Sequence, residues 1–285
     1  MPELRPNHVY DVQVPRELPL QRRLSPWVLM WNHAGLRKSL VLVCLAALWE
    51  GYARWVDNAL LFPTLSETLL AWWTGLIEGP ILLATWSSMQ VLLKGYLSGM
   101  LCAAVFTAFA SATRLGSDVL ETLTAMFNPL PSIALLPLAM IWFGLGEGSI
   151  VFVLIHAVLW AVALNTHAGF RSVSTTWRMV GQNYGLSPLS YVLRILIPGA
   201  FPSILTGLKI GWAFAWRTLI AAELVFGASS GQGGLGWYIF QHKNMLDVPN
   251  VFAGLLTVIL FGLLVENLIF KTLEKRTVVR WGMQN

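Results

Sequence analysis

Six stretches of the chain are apolar over the length a helix needs to cross a bilayer, and the segments between them are polar, basic or rich in proline. A hydrocarbon core of roughly 30 Å takes about 20 helical residues at 1.5 Å each. The stretches cover residues 36–54, 86–111, 119–144, 149–168, 201–226 and 250–270. Glu50 and Arg54 interrupt the far end of the first, whereas Thr122 to Gly146 in the third contains no charge. The pattern predicts an all-α integral membrane protein with six transmembrane helices. A shorter apolar run with Trp72 and Trp73 follows Phe62-Pro63-Thr64-Leu65-Ser66-Glu67. It reads as a turn and then a helix lying at the headgroup interface, with Ser66 as its cap, or equally as an ordinary connecting helix.

Composition sharpens this reading. Hydrophobic residues make up 56% of the 285 and charged residues only 12%, too few for a water-soluble surface. Cys44 and Cys102 both lie in apolar runs, so neither a disulfide framework nor a metal cluster is expected. The first 34 residues hold four arginines and five prolines but no apolar segment followed by a cleavage site, and read as an uncleaved cytoplasmic tail. With that tail inside, 14 of the 19 Lys and Arg fall on cytoplasmic segments, only Arg54 and Lys243 fall outside, and Lys94, Lys209 and Arg217 lie within spans. Such a bias places both termini in the cytoplasm. It also accounts for the net charge of +5 without invoking nucleic acid.

Three features depart from a plain bundle. Span three contains Asn128-Pro129-Leu130-Pro131, and prolines free carbonyls that hydrocarbon does not tolerate unless protein or a wet cavity satisfies them. A break at mid-depth points to a pathway, the other reading being a packing kink. Gly95-x-x-x-Gly99 and Gly207-x-x-x-Gly211 allow close helix approach and argue for packing. Finally, residues 169–200 form a long loop between spans four and five in which two helical segments meet at Tyr184-Gly185-Leu186-Ser187-Pro188. Gly185 permits the turn and Ser187-Pro188 restarts a helix, whose apolar residues lead back to the membrane until Pro198.

Charges at membrane depth are costly and by default functional, which singles out Lys94, Lys209, Arg217 and Glu223. Three of the four are cations, favouring an anionic solute; internal pairing and snorkelling are the alternatives. Trp142, Phe143 and Trp160 are candidates to line a path, although most tryptophans in such a chain serve interfaces and packing. His156 and His167 lie on one helix face about 16 Å apart, too far to share a metal, and no metal site is expected. No G-x-x-x-x-G-K-[ST] phosphate loop occurs, so energy for any active process comes from a partner. An intramembrane serine enzyme would draw on Ser149 and His156, but Gly-Glu-Gly-Ser is no nucleophile motif. A secondary carrier is the other alternative, yet no inverted repeat is visible.

Together these motifs resemble the ABC importer permeases of the nitrate, taurine and alkanesulfonate type, within the binding-protein-dependent permease family. The family's signature is Glu-Ala-Ala, three residues, Gly, nine residues, Ile-x-Leu-Pro. Gly185 and Ile195-Leu196-Ile197-Pro198 match its second half, while Met179-Val180-Gly181 stands in place of Glu-Ala-Ala. Asn128 to Glu147, Gly207 to Gly211, Ala221 to Leu224 and Gly233 to Tyr238 also look like family stretches in family order. The resemblance implies a type I importer fold with a cytoplasmic coupling-helix hairpin, and a chain divided into a tail (1–35), a first span with an interfacial helix (36–84), a permease core (85–272) and a C-terminal tail (273–285). It implies a bacterial inner-membrane complex with a second, identical or different permease, two ABC ATPase subunits that carry ATP and Mg, and a periplasmic binding protein. The chain itself would be non-catalytic and hold no cofactor. ATPase coupling would fall to Met179, Gly181, Tyr184, Gly185, Leu186, Ser187, Pro188, Ile195 and Pro198, and the substrate pathway to Lys94, Asn128, Pro129, Trp142, Arg217 and Glu223.

Overall fold

The computed structural model describes residue 28 and residues 31–226 and 233–282, in two compact units, Met1–Gly51 and Tyr52–Asn285. The N-terminal tail expected over 1–35 lies almost wholly outside the described residues, as does the end of the C-terminal one. Helix α1 (Ala34–Val56) begins in the first unit, where its residues Leu42 and Val43 are exposed, as a lipid-facing helix requires. Every regular element among the described residues of the second unit is a helix. The unit comprises α2 (Leu65–Ile77), α3 (Ile81–Ala112), α4 (Arg114–Phe127), α5 (Leu136–Phe143), α6 (Glu147–Ser172), α7 (Thr175–Asn183), α8 (Pro188–Tyr191), α9 (Ile197–Phe226), α10 (Leu235–Asn244), α11 (Val248–Val265) and α12 (Lys271–Glu274).

Five continuous helical segments are long and apolar enough to cross a membrane, and a sixth span results if α4 and the segment Ser132–Phe143 are counted together. That pair is bent by 88° at Asn128 to Pro131, where two prolines withhold their donors from the helix ladder. The bend is the expected interruption, and it turns the third span back sharply.

Lipid tails are as apolar as leucine, so helices associate here by close packing and hydrogen bonds more than by hydrophobic gain. The small residues do this work. Gly95 of α3 faces Leu154 of α6 so closely that a Cβ would overlap it, and a Cβ on Gly99 would stand 2.7 Å from that of Val158. Gly207 and Gly211 of α9 press against the same helix, at Asn165 and Val162. Helix α6 is therefore gripped from two sides, and Ile150, Val153, Leu154 and Val158 on it are fully buried.

Two local expectations change. The cap of α2 is Thr64, not Ser66: Thr64-x-x-Glu67 has the spacing of a capping box, in which Glu67 N–H donates to Thr64 Oγ1 at 3.1 Å and Thr64 N–H to Glu67 Oε2 at 2.8 Å. Pro198 does not end its helix either. A π-helical turn at Val192–Leu196 lets the Ile197 amide reach Val192 O, and the added backbone slack admits the proline just beyond it. Pro188–Val225 consequently runs as one 38-residue helical segment, about 57 Å long at the α-helical rise.

Candidate functional site

The loop read as a helical hairpin folds as one. Helix α7 ends with Gly185 at φ +60, where Gly185 N–H bonds Gln182 O at 3.0 Å and Leu186 N–H bonds Gly181 O at 3.2 Å. This paired closure is a Schellman motif, and its left-handed residue is a glycine because a Cβ would be strained there. Ser187 then caps the next helix through the Ser190 amide at 3.4 Å, with Pro188 in its first turn. Gly181 lets the two arms touch, since a Cβ there would be 2.7 Å from the Tyr191 ring. Ile195 joins the small core of Phe170, Val173, Leu196 and Ala200 that seats the hairpin, while Pro198 lies in the helix emerging from it.

The outer surface of the hairpin is apolar. Tyr184 is 81% exposed and Leu189 70%, flanked by exposed Trp177, Met179 and Leu193. No acidic residue occurs between Glu147 and Glu223, so the formal charges that the hairpin segment itself carries are the arginines Arg178 and Arg194. One of them, Arg178, was not singled out from sequence. Its guanidinium donates to Val173 O at 3.0 Å and Phe170 O at 2.6 Å, tying α7 to the terminal carbonyls of α6. A basic residue soon after a helix end is the signal for such a clamp.

A second feature lies over the proline break. A cavity of about 350 Å³ is lined by Asn128, Pro129, Ser132, His156, Arg217 and Thr218, among apolar neighbours that include Trp160. Ser132 Oγ and His156 Nδ1 are 3.2 Å apart. Arg217 donates through Nε to Ala213 O at 3.2 Å and lies 5.8 Å from the centre of the Phe214 ring. No carboxylate among the described residues pairs with it, and no acid lines the cavity. Arg217 also lines a neighbouring cavity of about 470 Å³ with Lys209, Ala213 and Glu266, and is the one residue shared by the two linings.

The structure thus brings Asn128, Pro129 and Arg217 together and sets the other pathway candidates apart. Lys94 is ion-paired to Glu147 at 2.6 Å. Trp142 packs edge-on against Phe152, away from the cavity lining. Lys209 is held by Glu274 at 2.5 Å, though it borders the second cavity. Glu223 is 2% exposed and hydrogen-bonded to Ser88 and Gly236, so it faces protein and not the cavity. Ser149 donates to Ala139 O and Gly144 O, so it forms no pair with His156. Ser132 and Thr218 escaped sequence reasoning because lone hydroxyls in apolar helices carry no pattern.

A family model described as the inner membrane component of binding-protein-dependent transport systems matches residues 95–279. The chain belongs to this family. The match takes in the proline bend, the hairpin, α9 and α11, and thus both features just described. Among the relatives is the putative aliphatic sulfonates transport permease SsuC of Escherichia coli, 26% identical over 266 residues, which are 91% of this chain and 92% of that one. The taurine transport permease TauC of the same organism is 34% identical over 158 residues, covering 55% and 56% of the two chains. A nitrate import permease, NrtB of Synechocystis, is 31% identical over 152 residues, 53% and 54%. The chain is thus a multi-pass membrane permease component of the kind its motifs resemble.

Proposed function

We propose that this permease forms half of the translocation path of an ATP-driven importer for a small organic or inorganic anion, such as a sulfonate, taurine or nitrate. The observation that carries the reading is the single helical segment Pro188–Val225, which bears an exposed apolar hairpin at one end and Arg217, without an acidic partner, beside two cavities. The hairpin is the coupling element: a partner ATPase, holding ATP and Mg, grips Tyr184, Leu189 and Met179. Loss of the family's glutamate, replaced by Met179, leaves this contact resting on apolar burial and on Arg194. The hairpin end, with Arg171, Arg178, Arg194, Lys271 and Lys275, faces the cytoplasm, and a binding protein delivers solute at the opposite face.

Closure of the ATPases moves the hairpin, and a stiff helix carries that motion to the cavity walls. Arg217 offers the passing anion a fixed positive charge, first from one cavity and then from the other, while a second permease, identical or homologous, completes the path. The chain contributes no bond-making chemistry. Neither Ser–His contact among the described residues, Ser132 with His156 or Ser117 with His167, has the third group that would orient the imidazole, as His156 Nε2 and His167 Nδ1 have no hydrogen-bond partner.

The test is purification of the tagged permease in mild detergent after co-expression with candidate ATPase and binding-protein subunits, followed by an ATPase assay. A complex whose hydrolysis rises with loaded binding protein establishes the reading. Transport by the isolated chain in liposomes without ATP would replace it with a secondary carrier.

A further inference from the structure

We infer that Glu223 and Ser88 form a latch through which the hairpin-bearing helix holds α10, and that this latch carries the coupling signal between the two ends of the permease. The inference rests on the function proposed above. Glu223 lies near the end of the Pro188–Val225 segment, some 34 residues and about 50 Å from Leu189 on the hairpin. One helix therefore joins the two places with no intervening loop.

The latch is a built structure. The Ser88 hydroxyl of α3 donates to the Glu223 carboxylate, 2.8 Å from each oxygen, and itself accepts from the Leu235 amide at 2.8 Å. The Gly236 amide donates to Glu223 Oε2 at 2.9 Å. Leu235 and Gly236 open α10, whose N-cap Gly234 has no side chain to offer. The orphan amides of that helix are thus satisfied by two spans, and the carboxylate stands where the helix dipole favours negative charge. Two glycines are fitted to the acid and its helix: a Cβ on Gly234 would overlap the carboxylate, and one on Gly236 would come within 2.6 Å of Ile220 O. Helix α10 passes the connection on to α11, through Tyr238 Oη donating to Asn250 Oδ1 at 2.8 Å and through Ile239 seated against Gly254.

A carboxylate buried at membrane depth costs more than an apolar contact would, so simple adhesion of α10 does not call for one. What it adds is direction and an all-or-none set of hydrogen bonds, which makes the relative placement of α3, α9 and α10 discrete. A latch of that kind transmits a helix displacement instead of absorbing it.

The experiment uses the whole complex with ATPases and binding protein, comparing Glu223→Ala, Glu223→Gln, Ser88→Ala and Gly234→Ala. In each, ATPase activity is measured without and with loaded binding protein, together with hydrogen exchange of the α10 amides. For Glu223→Ala and Gly234→Ala the stimulated rate is expected to fall about tenfold toward an unchanged basal rate, the scale set by losing one charge-assisted hydrogen bond. Combining Glu223→Ala with Gly234→Ala should add little to either alone, and Glu223→Gln and Ser88→Ala should be intermediate. Faster exchange at Leu235 and Gly236 must accompany the loss. Full stimulation in Glu223→Ala, or basal and stimulated rates falling in proportion in the variants, overturns the inference. If Glu223→Ala does not assemble, Glu223→Gln and Ser88→Ala decide on the same criteria. A wild-type complex that no loaded binding protein stimulates would instead sink the importer reading.

Discussion

Replacing Arg217 by Gln removes the positive charge shared by the two cavities while keeping much of the side chain's length and hydrogen-bonding capacity. A monovalent anion 4 Å from the guanidinium gains about 4 kcal/mol at an effective dielectric constant of 20 and about 1 kcal/mol in bulk water. Arg217 is exposed and its cavities are open, so the gain belongs toward the lower end, about 1–3 kcal/mol, or roughly 5- to 150-fold. The assay is uptake of labelled taurine, methanesulfonate or nitrate into proteoliposomes containing the complete complex, at saturating binding protein. Under that condition the rate reports passage through the permease and not capture from solution. Arg217→Gln should slow uptake by that factor with ATPase stimulation preserved. Arg217→Glu should slow it further, and Arg217→Lys should restore most of it. Equal uptake rates in all four proteins would refute a role for the charge in passage, whatever the cavities do.

Gly185→Val should weaken ATPase co-purification while leaving membrane insertion normal. No atom would crowd the new Cβ, so the cost is that of a left-handed backbone, about 1–2 kcal/mol; undiminished ATPase recovery would argue against the coupling role. Gly99→Leu forces α3 and α6 apart by about 1 Å and should cost about 1–3 kcal/mol or prevent folding, read as a lower midpoint of thermal aggregation in detergent. At the turn before α11, burial would raise the Asp247 carboxyl, but hydrogen bonds from Asn250 and His242 outweigh it and hold the group below its ordinary value. A lowered folded-state value means the turn is stabilised above the ordinary aspartate range of about 3.9 and loses that support as pH falls through the lowered value. Exchange of the Asn250 amide should accelerate on acidification, and Asp247→Asn should flatten that dependence.

Much of the fold was legible because a membrane simplifies the problem. Length and apolarity mark spans, and the runs at 149–168 and 250–270 correspond to parts of α6 and of Val248–Val279. Asn128-Pro129-Leu130-Pro131 marked the break, since proline's missing donor acts locally whatever surrounds it. The size of the 88° bend was not legible, because it depends on how α5 packs. Pro198 misled for a related reason. Its effect depends on register, and a π-helical turn just upstream leaves almost no trace in composition.

Side-chain roles divided along the same line. Gly185 and Ser187-Pro188 were readable because a turn is a local contract between neighbours. The intramembrane charges were not, since what a buried charge does is fixed by its partner, and partners come from far along the chain. Lys94 finds Glu147 53 residues on, Lys209 finds Glu274 65 on, and Glu223 finds Ser88 135 residues back. From sequence alone the four charges are equivalent. Once three are paired, Arg217 stands apart, and its place in the proposed pathway rests on that difference. On the function proposed above, an arginine at membrane depth that pairs with no carboxylate among the described residues, although Glu266 borders one of its two cavities, is the group placed to meet a transported anion as its counter-charge.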